Sequence, residues 1–147
     1  MGFKFKYEAL LSYRRHKKEM AELDLARCLK KVREVEEGIR ELTCLYYTTT
    51  TTMGSLMKSG LDGKDLQSYG EFLASLSFKI QEKEEERRRY EREAEEKRSF
   101  LIERHKELKI LEMLKEKHRR RWLMEQERRE QKQLGELIML RYRRDYL

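Results

Sequence analysis

Two tracts of this sequence place apolar residues at alternating steps of four and three, and that 3.5-residue period is what most restricts the fold. From Tyr7 to Tyr46 the register holds at ten of twelve positions and fails only at Arg14 and Lys18. From Tyr69 to Trp122 it holds at ten of sixteen positions. Such a period describes the seam of a coiled coil. Charged residues make up 43% of the chain and mean hydropathy is −0.99, which leaves too little apolar matter for a conventional globular core. A composition of this kind belongs to disordered chains or to long exposed helices. Disorder would not keep one register for forty residues, so the seams select helix.

Between the seams lies YYTTTTTMGSLMKSGLDG, from Tyr46 to Gly63, in a chain that contains no proline. Five consecutive threonines are stiff at χ1 and weaken helix, and Gly54, Gly60 and Gly63 offer turns. The stretch is too short to link separate domains. An antiparallel hairpin buries both seams at once, which makes it the tip. The expected fold is all-α: a single domain forming a long antiparallel two-helix coiled-coil hairpin with an overhanging C-terminal helix. The helices are expected over about 4–47 and 63–144, with a tip loop over about 48–62. Asp62 is the expected N-cap of the second helix, with Asp65 favouring the positive end of its dipole. A tip centred near residue 57 places Tyr46 opposite residue 68 and Lys4 opposite residue 110. The residues from Leu111 onward then have no partner, although they include Leu114, Trp122, Leu123, Leu134, Leu137, Ile138 and Tyr142.

Chemistry has little to stand on. His16, His105 and His118 show no metal-ligand spacing, and no glycine-rich phosphate loop or nucleophile elbow is present. No catalytic residue, metal site, cofactor or small-molecule ligand is expected. Cys28 and Cys44 lie about 24 Å apart along one helix, too far for a disulfide, and are expected as reduced thiols. The opening MGFKFKYEALL lacks the apolar core of a signal peptide, and Lys6 stands where an acylation motif requires Ser or Thr. No stretch approaches the length of apolar residues that spans a bilayer.

The net charge of +7 concentrates toward the C-terminus, where eleven Lys and Arg face six acids from Lys115 onward. A basic, apolar overhang fits an acidic, partly apolar socket. Nucleic acid is not the expected partner, because aromatic residues do not interleave with the basic run. A basic scaffold for nucleic acid or membrane is nonetheless the alternative from a different class. Tyr46, Tyr47, Tyr69, Phe72 and Phe78 give the tip more aromatics than closing a hairpin requires.

Three segments resemble the flagellar export protein family FliJ in order along the chain. They are FKFKYEALLSYRRHKKEMAELDLA at the start, YGEFLASLSFKI (Tyr69 to Ile80) where the second helix restarts, and EQKQLGEL (Glu130 to Leu137). Gly135 departs from the family's usual Asp. The resemblance implies a non-catalytic component of the bacterial flagellar type III export apparatus, shaped like the central stalk of rotary ATPases. Its implied partners are the hexameric export ATPase, the cytoplasmic domain of the export gate membrane protein, and export chaperones. Its implied location is cytoplasmic, at the inner face of the cell membrane at the flagellar base. For the gate, the matching positions are Leu42, Leu45, Phe72 and Leu76. For the ATPase they are Leu10, Leu11, Arg14, Arg121, Arg128, Gln131, Lys132 and Leu137. The stalk protein of an injectisome shares fold and role and is the nearest alternative.

Overall fold

The structure, a computed structural model, describes residues 2–146, and it consists of two helices, α1 (Glu8–Lys58) and α2 (Gly63–Tyr146), packed against each other as an antiparallel hairpin. No strand occurs among the described residues. Backbone contacts divide the chain into two compact units. One joins the residues up to Glu19 with those from Glu103 on, and the other is Met20–Ile102.

The turn is shorter than the expected loop over 48–62. α1 runs through all five threonines to Lys58, leaving residues 59–62 as the connection. The helix accommodates the threonine hydroxyls, and the seam carries it through them. Thr48, Thr50, Thr51 and Thr52 each donate to the carbonyl four residues earlier, at 2.8, 2.8, 2.9 and 3.0 Å. This back-bonding satisfies the hydroxyls inside the helix and fixes their rotamers. The seam continues through the run, with Thr49 buried and Tyr46 and Met53 half-buried on either side. Gly54, expected in a turn, is helical. Gly60 ends the helix instead, with φ at +89° and its N–H donating to the Met57 carbonyl at 3.4 Å. That left-handed position suits glycine. Asp62 precedes the first residue of α2, and its carbonyl accepts the Leu66 N–H at 3.0 Å. It therefore occupies the N-cap position.

α1 begins at Glu8 rather than near residue 4, and Tyr7 precedes it as the cap, its carbonyl accepting the Leu11 N–H at 2.9 Å. Tyr7 is accordingly exposed, and Phe5 is buried in its stead. Apart from Tyr7, every seam position in both tracts is buried or half-buried, including the basic ones. Arg14, Lys18, Lys83, Arg87, Lys97, Arg104 and Lys115 are all half-buried. Long basic side chains can lay their stems along apolar surface while the charge reaches the edge. In the Met20–Ile102 unit, Lys31 sits 5.6 Å from the Tyr90 ring. Arg87 pairs with Glu84 at 2.8 Å and Lys83 with Glu86 at 3.4 Å.

In the unit that holds the chain ends, Phe5, Leu11, Leu108 and Leu111 form a core with Phe3 and Leu114 against it. Phe3 meets Trp122 at 6.2 Å, Phe5 meets His118 at 5.7 Å, and Lys115 pairs with Glu8 at 2.9 Å. Leu111 and Leu114 thus have partners, and the overhang starts after Trp122 rather than at Leu111. Two effects move it. The turn lies later than expected, and the chain before Glu8 is extended, covering about twice the length per residue of a helix.

Leu11 has 0% exposure and its neighbour Leu10 is on the open side. Leu11→Ala should lower unfolding stability by about 2–5 kcal/mol, and Leu10→Ala should change it by less than about 0.5 kcal/mol. Urea titration followed by far-ultraviolet circular dichroism reads both.

Candidate functional site

Within the unit that holds the chain ends, two surfaces adjoin one another. The first is a basic collar where the N-terminal segment packs on α2. Lys115, Lys117, Arg119, Arg120 and Arg121 fall there with Glu116 as the only acid among them, and Lys4 and Lys6 are exposed on the facing segment. Arg119 grips Glu116 through two bonds, at 3.0 and 2.8 Å, and Arg120 adds a third at 3.3 Å. The hydrogen bond from Arg119 and the two guanidinium charges hold the Glu116 carboxyl well below its ordinary 4.5, at about 2. Lys117 and Arg121 are left to project positive charge.

The second surface is the free part of α2, from Leu123 to Tyr146. Gln126 is half-buried and every residue from 127 to 146 is exposed. At 1.5 Å per residue it extends about 36 Å. It carries six basic residues and five acidic ones, so the excess charge lies in the collar and not along the overhang as the sequence suggests. What distinguishes the overhang is apolar: Leu134, Leu137, Ile138, Met139, Leu140 and Tyr142 are 59–63% exposed. Tyr142 and Tyr146 stack at 4.6 Å.

The expected ATPase-binding residues divide between structural and available roles. Arg121, Arg128, Gln131, Lys132 and Leu137 are exposed, as is Leu10. Leu11 is core, which removes it from any docking surface. Arg14 donates to the Glu107 carbonyl at 2.8 Å, while Arg104 holds the Glu107 carboxylate with bonds of 3.0 and 2.8 Å. Arg14 therefore braces the hairpin. Met139 and Leu140 escape a reading by motif position, although the run LIML from Leu137 marks them.

In the Met20–Ile102 unit, the residues expected for the gate divide similarly. Leu45 and Phe72 are exposed, Leu42 is half-buried in the seam, and Leu76 is enclosed at 2% exposure and cannot dock. Phe72 borders a shallow groove with Tyr69, Ser68 and Asp65. Tyr47 and Phe78 are exposed nearby in sequence.

No cluster of three or more metal-ligating side chains occurs among the described residues, and both cysteines are free thiols, Cys28 buried and Cys44 exposed. No helix in the described residues is long and apolar enough to cross a membrane. Among protein families, the one described as flagellar FliJ protein matches residues 3–146. The chain belongs to the FliJ family. Membership makes it a component of the flagellar export apparatus. Comparison with curated proteins and with solved structures gives no match.

Because the Glu116 pKa is depressed on folding, its contribution is present above 4.5 and is lost as pH falls through about 2. Side-chain carboxyl NMR should find Glu116 ionised at pH ~3.5 in dilute buffer. Arg119→Ala should return it toward 4.5, and added salt should move it the same way because the cluster is exposed.

Proposed function

We propose that this FliJ-family chain serves as the stalk of the flagellar export ATPase, without catalytic chemistry of its own. In this reading the overhang of α2 enters the central opening of the hexameric ring and the basic collar rests on its rim. The observation that carries the proposal is an α-helical segment about 36 Å long with large apolar side chains and no partner in its own chain. An unmatched apolar helix end suits insertion into a partner. The collar supplies long-range attraction toward an acidic rim, which speeds docking more than it tightens it.

The exposed pair Leu45 and Phe72 is the proposed contact for the cytoplasmic domain of the export gate, with export chaperones as a further class of partner. Work at that junction would hold the protein at the inner face of the cell membrane at the flagellar base.

Purified chain should bind the export ATPase and raise its hydrolysis rate at physiological salt. Reversing Arg121, Arg128 and Lys132 to Glu should weaken that binding by about tenfold or more, a change of about 1.4 kcal/mol, with helicity unchanged. Unaltered affinity would end the socket assignment.

The joint variant Leu45→Ala, Phe72→Ala should reduce binding to the gate's cytoplasmic domain and leave ATPase binding as it was. Both side chains are exposed, so thermal stability should hold. Calorimetric titration against each partner separates the two contacts.

A further inference from the structure

The arrangement of apolar side chains around the overhang says more about its socket than their presence does. Successive helical residues point about 100° apart. Leu137, Ile138, Met139 and Leu140 therefore face four directions that between them complete the circle. Their exposures are 63, 60, 59 and 61%, so no side of the helix is covered more than another. The paired part of α2 is different: Leu108 and Leu111 are buried, and Ile110 between them is 63% exposed. There the apolar matter that packs follows one line, and at residues 137–140 it forms a ring.

That ring excludes the simpler occupants. A second copy adding one helix would extend a line with a 3.5-residue period. Continued past Trp122 at the same steps, the seam meets Glu125, Arg129, Lys132 and Glu136, so the line ends where the hairpin ends. A lipid surface takes a helix with one apolar face and one polar face. A helix apolar on all sides is a buried helix, and here the burying wall must come from outside the chain.

The charge places the wall. Reading outward from the hairpin, the basic collar at 115–121 comes first, then a mixed polar stretch from Glu125 to Gln133, then the apolar ring. Arg141, Arg143 and Arg144 follow it. From the middle of the collar to the middle of the ring is about twenty residues, or roughly 31 Å.

We infer that the partner encloses α2 with an apolar constriction that touches residues 137–140 from every side, roughly 31 Å beyond an acidic rim that meets the collar. The inference rests on the reading of the overhang as a ring-inserted stalk and specifies the wall it meets. A constriction of this kind grips the helix without preferring one azimuth. The recognised chemistry is a closed protein wall, apolar at depth and acidic at the mouth.

The test is a scan around the helix in the full chain. Leu137→Ala, Ile138→Ala, Met139→Ala and Leu140→Ala each remove an exposed side chain and preserve helix, since alanine is the best helix former. Each is titrated against the hexameric export ATPase by calorimetry, with Gln133→Ala as a polar control and circular dichroism as a check on folding. All four should lose at least about fivefold in affinity and the control should lose none. Losses confined to two neighbouring directions would overturn the inference and indicate a one-sided groove. The inference falls equally if none of the four loses affinity while the unsubstituted chain binds, and the stalk reading would then survive alone. Failure of the unsubstituted chain to bind would remove both.

Discussion

Neither helix can bury its seam alone, so each apolar tract becomes ordered only by facing the other. An isolated helix of this composition gains little from propensity, and most helical stability comes from tertiary packing of one face. The seam satisfies that demand with few atoms. Leu11, Ala21, Cys28, Val32 and Val35 on α1, and Leu76, Ala94, Leu108 and Leu111 on α2, are nearly all of the buried apolar residues. The remaining features follow from this pairing. It fixes where the chain turns, and so how much of α2 is left without a partner.

Between residues 81 and 98 three of the five seam positions are basic, and the balance changes. Ion pairs at spacings of three and four surround them, such as Arg87 with Glu84 and Arg98 with Glu95. Exposed pairs of this type contribute a few tenths of a kcal/mol each. Ala94 is the one fully buried apolar residue in that stretch. The buried apolar surface there comes chiefly from α1, where Cys28, Val32 and Val35 flank the Lys31 that sits over Tyr90.

Periodicity makes the seams readable, because spacing survives even where the residue type does not. Lys83 and Arg87 break the apolar pattern, yet both take their seam places. The threonine run misleads for the opposite reason. Its β-branching argues against helix, while the seam position of Thr49, buried against the partner helix, leaves no mark in composition. That one difference moves the turn and, with the extended start before Glu8, shifts the beginning of the overhang from Leu111 to beyond Trp122. Site residues suffer accordingly. Arg121, Arg128 and Lys132 are exposed as expected, but Leu11, Arg14 and Leu76 stand out in the sequence only by position in a motif. Position alone does not separate the residue that holds the hairpin from the one beside it that faces outward.

The packing of the first few residues on the far part of α2 has a consequence for the birth of the protein. Phe5 finds His118 only 113 positions later in the chain. A ribosome adding about 5–20 residues per second reaches that position roughly 6–23 s after Phe5 is made. Throughout that interval Phe5 lacks the α2 partner that covers it in the folded chain. Contacts beside the turn close over short loops, whereas this contact must close one of the longest. The segment around Phe5 is thus made well before the helix turn that shelters it, and during that delay its aromatics are open to whatever the cell supplies to cover them.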